Sequence, residues 1–196
     1  MPRPREFDED AVLRAARDQF WATGYAGTSM DGIAAATGLG KGSLYGAFGG
    51  KRELFHRVFD DYCAQAVAGA RHDLGGPDDE AFARLAAHLR AVAASTAADT
   101  AHRGCLLAKS TAELSEQDSV VAARSLHTFE ELEALLTEDI KACQRNGDIA
   151  ATADPGQLAV LLLAVLRGIE ALGKAGKDGK SLRAIADSAI ALLPKP

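Results

Sequence analysis

GLGKGSLYGAF, residues 38–48, holds four glycines and one lysine in eleven positions. Two chemistries use such a run. A phosphate-cradling loop needs G-x-x-x-x-G-K-[ST] between a strand and a helix. Gly40-Lys41 supplies the G-K, but Gly42 stands where the magnesium-binding hydroxyl belongs and Ala35 where the first glycine belongs. The residues before it repeat their apolar positions at helical spacing, so the strand is missing too. The other chemistry is a helix–turn–helix, two short helices joined by a tight glycine-bearing turn. IAAATGLGKGSLY (33–45) fits it. Ile33 and Ala34 face inward, Gly38 makes the turn, Leu39 plugs the angle, and Leu44 with Phe48 anchors the second helix. Lys41, Ser43 and Tyr45 then face outward at the end of the helix that meets base edges.

Outward from this stretch, every segment reads as helix. Asp8, Glu9 and Asp10 open a first helix, where carboxylates suit the positive end of the dipole. Val12, Leu13, Ala16 and Phe20 form its apolar stripe, and Gly24 ends it. TSMD predicts Thr28 as N-cap of a second helix with Asp31 three residues on. A third spans 41–48. Longer helices are expected at about 51–73, 78–98, 103–115, 118–146, 155–175 and 181–193. Asp154-Pro155 and Ser181 supply starts for the last two. The expected fold is all-α with about nine helices, a three-helix head over residues 1–50 and a helical body over 51–196.

The 196 residues are 47% hydrophobic and 25% charged, as in a globular protein. Neither the polar start MPRPREFDED nor the apolar run Leu158–Leu166 has the form of a leader or a full membrane span, so a cytoplasmic location without membrane contact is expected. Cys63, Cys105 and Cys143 are too scattered for a zinc site, and no metal or other cofactor is expected. No Ser-His-Asp order or cofactor loop marks an enzyme. The net charge is −5. Residues 1–55 hold seven basic and seven acidic side chains, so the remainder carries the whole excess and the head is the part suited to approach phosphate.

The run from Phe7 to Phe55 carries F-x-x-x-x-V-L-x-A-A-x-x-x-F-x-x-x-G-Y-x-x-T-S-M-x-x-I-A-x-A-x-G-x-x-K-G-S-L-Y-x-x-F-x-x-K-x-x-L-F. It resembles the DNA-binding head of the TetR family of transcriptional regulators. The resemblance implies a ligand-responsive regulator, most often a repressor, whose homodimer binds a palindromic operator on double-stranded DNA and lets go when a small-molecule effector enters the body and shifts the fourth helix. It implies phosphate contacts from Thr28, Ser29 and Lys51, and groove or rim contacts from Lys41, Gly42, Ser43 and Tyr45. One departure stands out: many members carry His or Tyr before the aromatic at Phe48, and here Gly46-Ala47 occupies that place. Arg3 and Arg5 are candidates to compensate from the minor groove. A helical binding protein that has lost DNA binding is the alternative that the neutral head and Ala47 leave open.

The body offers three further sets of candidates. Leu158, Leu161, Leu162, Val165, Ile169 and Leu172 form a stripe on one late helix, and Leu182, Ile185, Ala189 and Leu192 one on the last. Family resemblance makes these two helices the dimer interface; helical core is their other reading. Candidate effector-pocket residues are Phe59, Tyr62, Phe82, Leu85, Leu89, Leu107, Ser110, Phe129 and Leu132, with His88, Glu113, His127 and Glu170 as polar neighbours. HRGCLLAKSTAEL (102–114) places Cys105 near a helix start beside His102 and Arg103. A positive dipole and cationic neighbours lower a thiol's pKa, so Cys105 is a candidate electrophile or redox sensor. Buried packing is its competing role.

Overall fold

A computed structural model describes residues 7–196. Arg3 and Arg5 lie outside the described residues. The described chain forms nine α-helices. The head holds α1 (Glu9–Gly27), α2 (Met30–Thr37) and α3 (Lys41–Phe48). The body holds α4 (Lys51–Asp73), α5 (Ala81–Ala98), α6 (Leu106–Leu114), α7 (Ser119–Asn146), α8 (Pro155–Lys174) and α9 (Gly179–Ala191).

Local chemistry sets the head's boundaries. The Asp8 carboxylate accepts from the Ala11 N–H at 3.1 Å and opens α1. The helix breaks at Gly24, whose φ of 78° and ψ of 175° belong to glycine alone, and a last turn follows. Ser29, not Thr28, caps α2: its Oγ accepts from the Gly32 N–H at 3.0 Å. Thr28 is 4% exposed, and its hydroxyl donates inward to Gly24 O at 2.6 Å. The two adjacent hydroxyls point opposite ways, which composition alone does not reveal. Gly38 takes the left-handed conformation (φ 70°) that turns α2 into α3.

α4 closes the head and runs on into the body. Phe55 meets Phe20 of α1 edge-on at 5.0 Å and stacks on Phe59 at 5.6 Å. One buried cluster therefore joins Val12, Phe20, Ile33 and Leu44 of the head to α4, α6 and α7. A second cluster, formed mainly by α5, α7, α8 and α9, fills the far end of the body. The expected 78–98 helix is a 3-10 turn (Asp78–Glu80) followed by α5, and α6 starts after Cys105 rather than at 103. Asp178 rather than Ser181 caps α9, accepting from the Ser181 N–H at 3.0 Å.

The late helices correct half of the expected dimer stripe. Leu162, Ile169 and Leu182 are fully buried in the protomer's own second core. Leu158 is half-buried against the same core. The outward apolar face of α8 is one step round the helix, at i, i+4, i+7, i+11 spacing: Leu161 (57% exposed) and Leu172 are exposed, with half-buried Val165 and Gly168 between them. On α9, Ile185, Ala189 and Leu192 (82% exposed) continue it. By length and composition α8 passes the test for a membrane span, with mean hydropathy 1.6 over its best window. It is apolar all round because one side fills the protomer core and the other forms this stripe.

Gly24→Ala is expected to destabilise the protein by about 1–3 kcal/mol. Besides the forbidden φ, a Cβ there would lie 2.8 Å from Glu113 Oε2. Urea unfolding of the variant checks it, and an unchanged midpoint would show that the break at Gly24 is dispensable.

Candidate nucleic-acid interface and ligand cavities

The N-terminal end of α3 is the most open part of the head. Lys41, Gly42, Ser43 and Gly46 are exposed, and Tyr45 is 51% exposed. No atom of the protein lies within 4 Å of a Cβ placed on Gly42 or Gly46. The fold does not require glycine at either place, and the backbone is bare toward whatever docks there. Lys41 forms an ion pair with Asp31 of α2. Ser29 is exposed at the start of α2. Lys51, at the start of α4, sets its Nζ 4.4 Å from the centre of the Tyr25 ring. Ser29, Lys41, Gly42, Ser43, Tyr45 and Lys51 are thus available at the surface, whereas the Thr28 side chain is not.

Polar contacts join the head to the body, and others brace α4 beneath it. Around the break in α1, α6 presents residues four apart on one face. Lys109 Nζ donates to Trp21 O at 3.0 Å and Ala22 O at 3.3 Å, before the break. The Glu113 carboxylate accepts from the N–H groups of Tyr25 (3.0 Å) and Ala26 (2.6 Å), after it. The Trp21 indole N–H donates to Gly104 O at 2.6 Å, and the Arg103 guanidinium lies 4.3 Å from its ring centre. Within the body, Asp118 caps α7 through the Val120 and Val121 N–H groups. Its second oxygen meets Arg52 Nε at 2.9 Å and His56 Nε2 at 2.8 Å on α4. Burial pushes the Asp118 carboxyl up, but the hydrogen bonds from His56, Arg52 and Val121 outweigh that and hold it at about 2.

An apolar chamber of about 160 Å³ lies inside the body, bounded by Tyr62, Leu107, Leu132, Leu136, Leu163 and Leu166 among others. Three of the sequence-derived pocket residues, Tyr62, Leu107 and Leu132, line it. Phe59, Leu85 and Leu89 are instead buried core side chains, and Ser110 is buried on α6. Phe82 and Phe129 pack on the outside of the two cores. Of the polar neighbours, His88 and Glu170 line the chamber, Glu113 holds α1, and His127 is exposed beside Glu131. A wider groove of about 580 Å³ separates the end of α1 from α6 and α8, a feature no apolar periodicity predicts.

Cys105 corrects the expectation of a low pKa. It is the N-cap residue of α6 and buried. His102 turns away to Gly173 O at 3.0 Å, and Arg103 is engaged by Asp99. Burial pushes the thiol up; its cationic neighbour is Arg167 of α8, with Nη1 3.0 Å from Sγ, pulling the other way. The Tyr62 hydroxyl lies 3.8 Å from the same sulfur.

Residues 12–58 match the family described as bacterial regulatory proteins, tetR family, and residues 81–189 match the tetracyclin repressor-like C-terminal domain. The chain is 28% identical over 195 residues to the HTH-type transcriptional repressor ComR of Escherichia coli (strain K12), covering 98% of this chain and 92% of that repressor. Among solved structures it is similar to a cysteine-substituted form of the TetR family transcriptional regulator CifR, complexed with 26-bp double-strand operator DNA. That likeness has 31% identity and a TM-score of 0.83, over 98% of this chain and 100% of that one. The reduced form of E. coli NemR shares the fold at 18% identity and a TM-score of 0.82, over 95% and 97% of the two chains.

Asp118→Asn is expected to lower stability at pH 7 by about 2 kcal/mol, from a carboxyl held at about 2 against its ordinary 3.8. The sign follows from a depressed carboxylate: the contribution is complete above pH 4 and vanishes as pH falls through 2. Wild type and variant should therefore converge in acid. A gap in denaturant stability that stays constant from pH 7 to pH 2.5 would contradict this.

Proposed function

The chain belongs to the TetR family of transcriptional regulators, and we propose that it is a ligand-responsive repressor that binds a palindromic operator as a homodimer. The observation that carries the reading is the bare, exposed N-terminal end of α3, set in a helix–turn–helix whose relative CifR is seen with operator DNA. Similarity to the repressor ComR over nearly the whole chain supports repression. In this reading residues 1–50 are the DNA-binding domain and residues 51–196 the effector-binding and dimerisation domain, with α4 common to both cores. The protein works in the cytoplasm, where its operator is.

Ser29 and Lys51 contact phosphate, through a helix start and a point charge respectively. Lys41, Ser43 and Tyr45 face the groove, and Gly42 lets the backbone approach it. The dimer forms through the stripe of Leu161, Val165, Gly168 and Leu172 with Ile185, Ala189 and Leu192, so that two α8–α9 pairs make a four-helix bundle. A two-fold axis there places two heads on successive half-sites. The effector is a small molecule. The chamber of about 160 Å³ resembles in size an apolar cavity of about 150 Å³ that holds benzene, so a larger effector must part the helices that line it.

The deciding experiment is salt-dependent binding to a palindrome upstream of the chain's own or neighbouring gene. Wild-type affinity should fall steeply with salt. Lys51→Ala should weaken binding on every duplex and reduce the salt slope by about 1. Leu161→Arg should yield monomers by light scattering and lose operator binding. Salt-insensitive binding, or none, would favour a helical binding protein without DNA.

A second reading makes Cys105 a thiol sensor as well, and the Arg167 contact at 3.0 Å favours it. Mild electrophile treatment should then label Cys105 ahead of Cys63 and Cys143 in mass spectrometry and free the operator in wild type but not in Cys105→Ser. Uniform or absent labelling would leave Cys105 as packing.

A further inference from the structure

The groove of about 580 Å³ falls within the 300–1,000 Å³ usual for ligand sites. Its position is unusual for an effector site, because the DNA-binding head forms one wall. Gly24, Ala26 and Gly27 of α1 face Ala108 and Ala112 of α6 and Ala171 of α8 across it. None of these six carries anything longer than a methyl group. The small side chains keep this slot open, although the free face of Gly24 itself is covered by Glu113 and Lys109.

Charge is unbalanced at the rim. Lys109, Arg167 and Lys174 line the groove against Glu113 and Glu170. Glu113 is committed to the amides of Tyr25 and Ala26. Glu170 Oε2 pairs with Arg167 Nη1 at 2.8 Å, and burial pushes its carboxyl up toward the neutral form. Lys109 and Lys174 have no carboxylate partner within ion-pair distance among the described residues. Each is turned to backbone instead, Lys109 to α1 and Lys174 to Arg103 O at 3.3 Å. Burial first, and then repulsion from Lys174, push the Lys109 ammonium's pKa down. An anion between the two lysines relieves that repulsion.

We propose that this groove binds a planar aromatic carboxylate, its ring in the glycine–alanine slot and its carboxylate between Lys109 and Lys174, and that the ligand loosens the head by drawing Lys109 off the carbonyls of Trp21 and Ala22. The site borders the smaller chamber in the body, sharing Cys105, Arg167 and Glu170 with it, and differs in having α1 of the head as a wall. It touches the head directly, so no relay through the body is needed for the head to respond. The release step rests on the operator-binding reading above; the binding step does not.

The test uses the full-length protein, with 2-naphthoate as probe and 2-naphthol as its neutral counterpart. Calorimetry should give one 2-naphthoate per protomer, bound at least about tenfold more tightly than 2-naphthol. That is the discrimination expected of a charge-assisted contact at a partly buried site. Lys174→Met should erase the preference for the acid. Ala112→Leu, which fills the slot from the α6 wall, should abolish binding of both probes while operator binding stays at the wild-type level. Ala171→Leu should do the same from the α8 wall, which guards against one variant misfolding. Saturating 2-naphthoate should weaken operator binding about tenfold or more in fluorescence anisotropy.

No binding of 2-naphthoate, binding that survives both leucine variants, or a preference that survives Lys174→Met would each overturn the site. Binding as expected with unchanged operator affinity would overturn the release step. If the unliganded protein fails to bind any operator while 2-naphthoate binds as described, it is the regulator reading that falls and the site that stands.

Discussion

The break in α1 at Gly24 is held from outside, and the position of the head depends on that hold. A broken helix presents unsatisfied carbonyls before the break and unsatisfied N–H groups after it. On α6, Lys109 and Glu113 are one turn apart and answer each in kind, cation to carbonyl and anion to amide. Gly24 makes the arrangement possible twice over, by its φ and by leaving room for the Glu113 carboxylate. At the far end of the short α6, Asp118 fastens α4 through Arg52 and His56. Glu113 and Asp118 therefore place the hold on α1 and the hold on α4 close together, at and just beyond the C-terminal end of one nine-residue helix.

Much of the architecture is legible in the sequence because helix ends are written in local chemistry. Asp8, Gly38 and Asp154-Pro155 mark boundaries by side-chain capping or positive φ, and each stands where it was read. Neighbouring alternatives are harder. Thr28 and Ser29 are equally good caps on paper, and only packing turns Thr28 inward. On α8, apolar residues surround the helix, so periodicity identifies stripes without saying which one faces the protomer. Leu162 and Ile169 went to the core while Leu161 and Leu172 stayed out. The groove at the head was not legible at all, because glycine and alanine there act by leaving space. The polar contacts that hold α1 and α4 join residues more than sixty positions apart, beyond any local pattern.

The bareness of α3 bears on how DNA is read. The exposed side chains at its start are Lys41, Ser43 and Tyr45, and of these only Lys41 is of a type that reads a base through two hydrogen bonds. Lys41 enters from an exposed ion pair with Asp31, a contact worth at most about 1 kcal/mol and readily exchanged for phosphate. Sequence information in this head is thus concentrated in few side chains. In the proposed operator complex, register on the duplex falls to phosphate contacts and to the spacing of the two heads.

The sequence suggested α4 as the moving part, and the packing argues for α6 before it. α4 is buried along its length, from Leu54 to Ala70, in the cluster that also contains the head's own core. Displacing it disturbs both. α6 is short, follows a positive-φ Gly104, and adds polar contacts around the break in α1 to the apolar cluster that the two helices share. Losing the two Lys109 hydrogen bonds involves a charged donor, and each such bond is worth about 1.5–3 kcal/mol. That is of the order of the 1–3 kcal/mol typical of coupling between sites. A ligand shifts the equilibrium only by its differential affinity for the two arrangements, and a contact of this size is large enough to supply it. Asp118, just beyond the C-terminal end of α6, grips α4 at Arg52 and His56, so that a shift of α6 would bear on α4 next to Lys51.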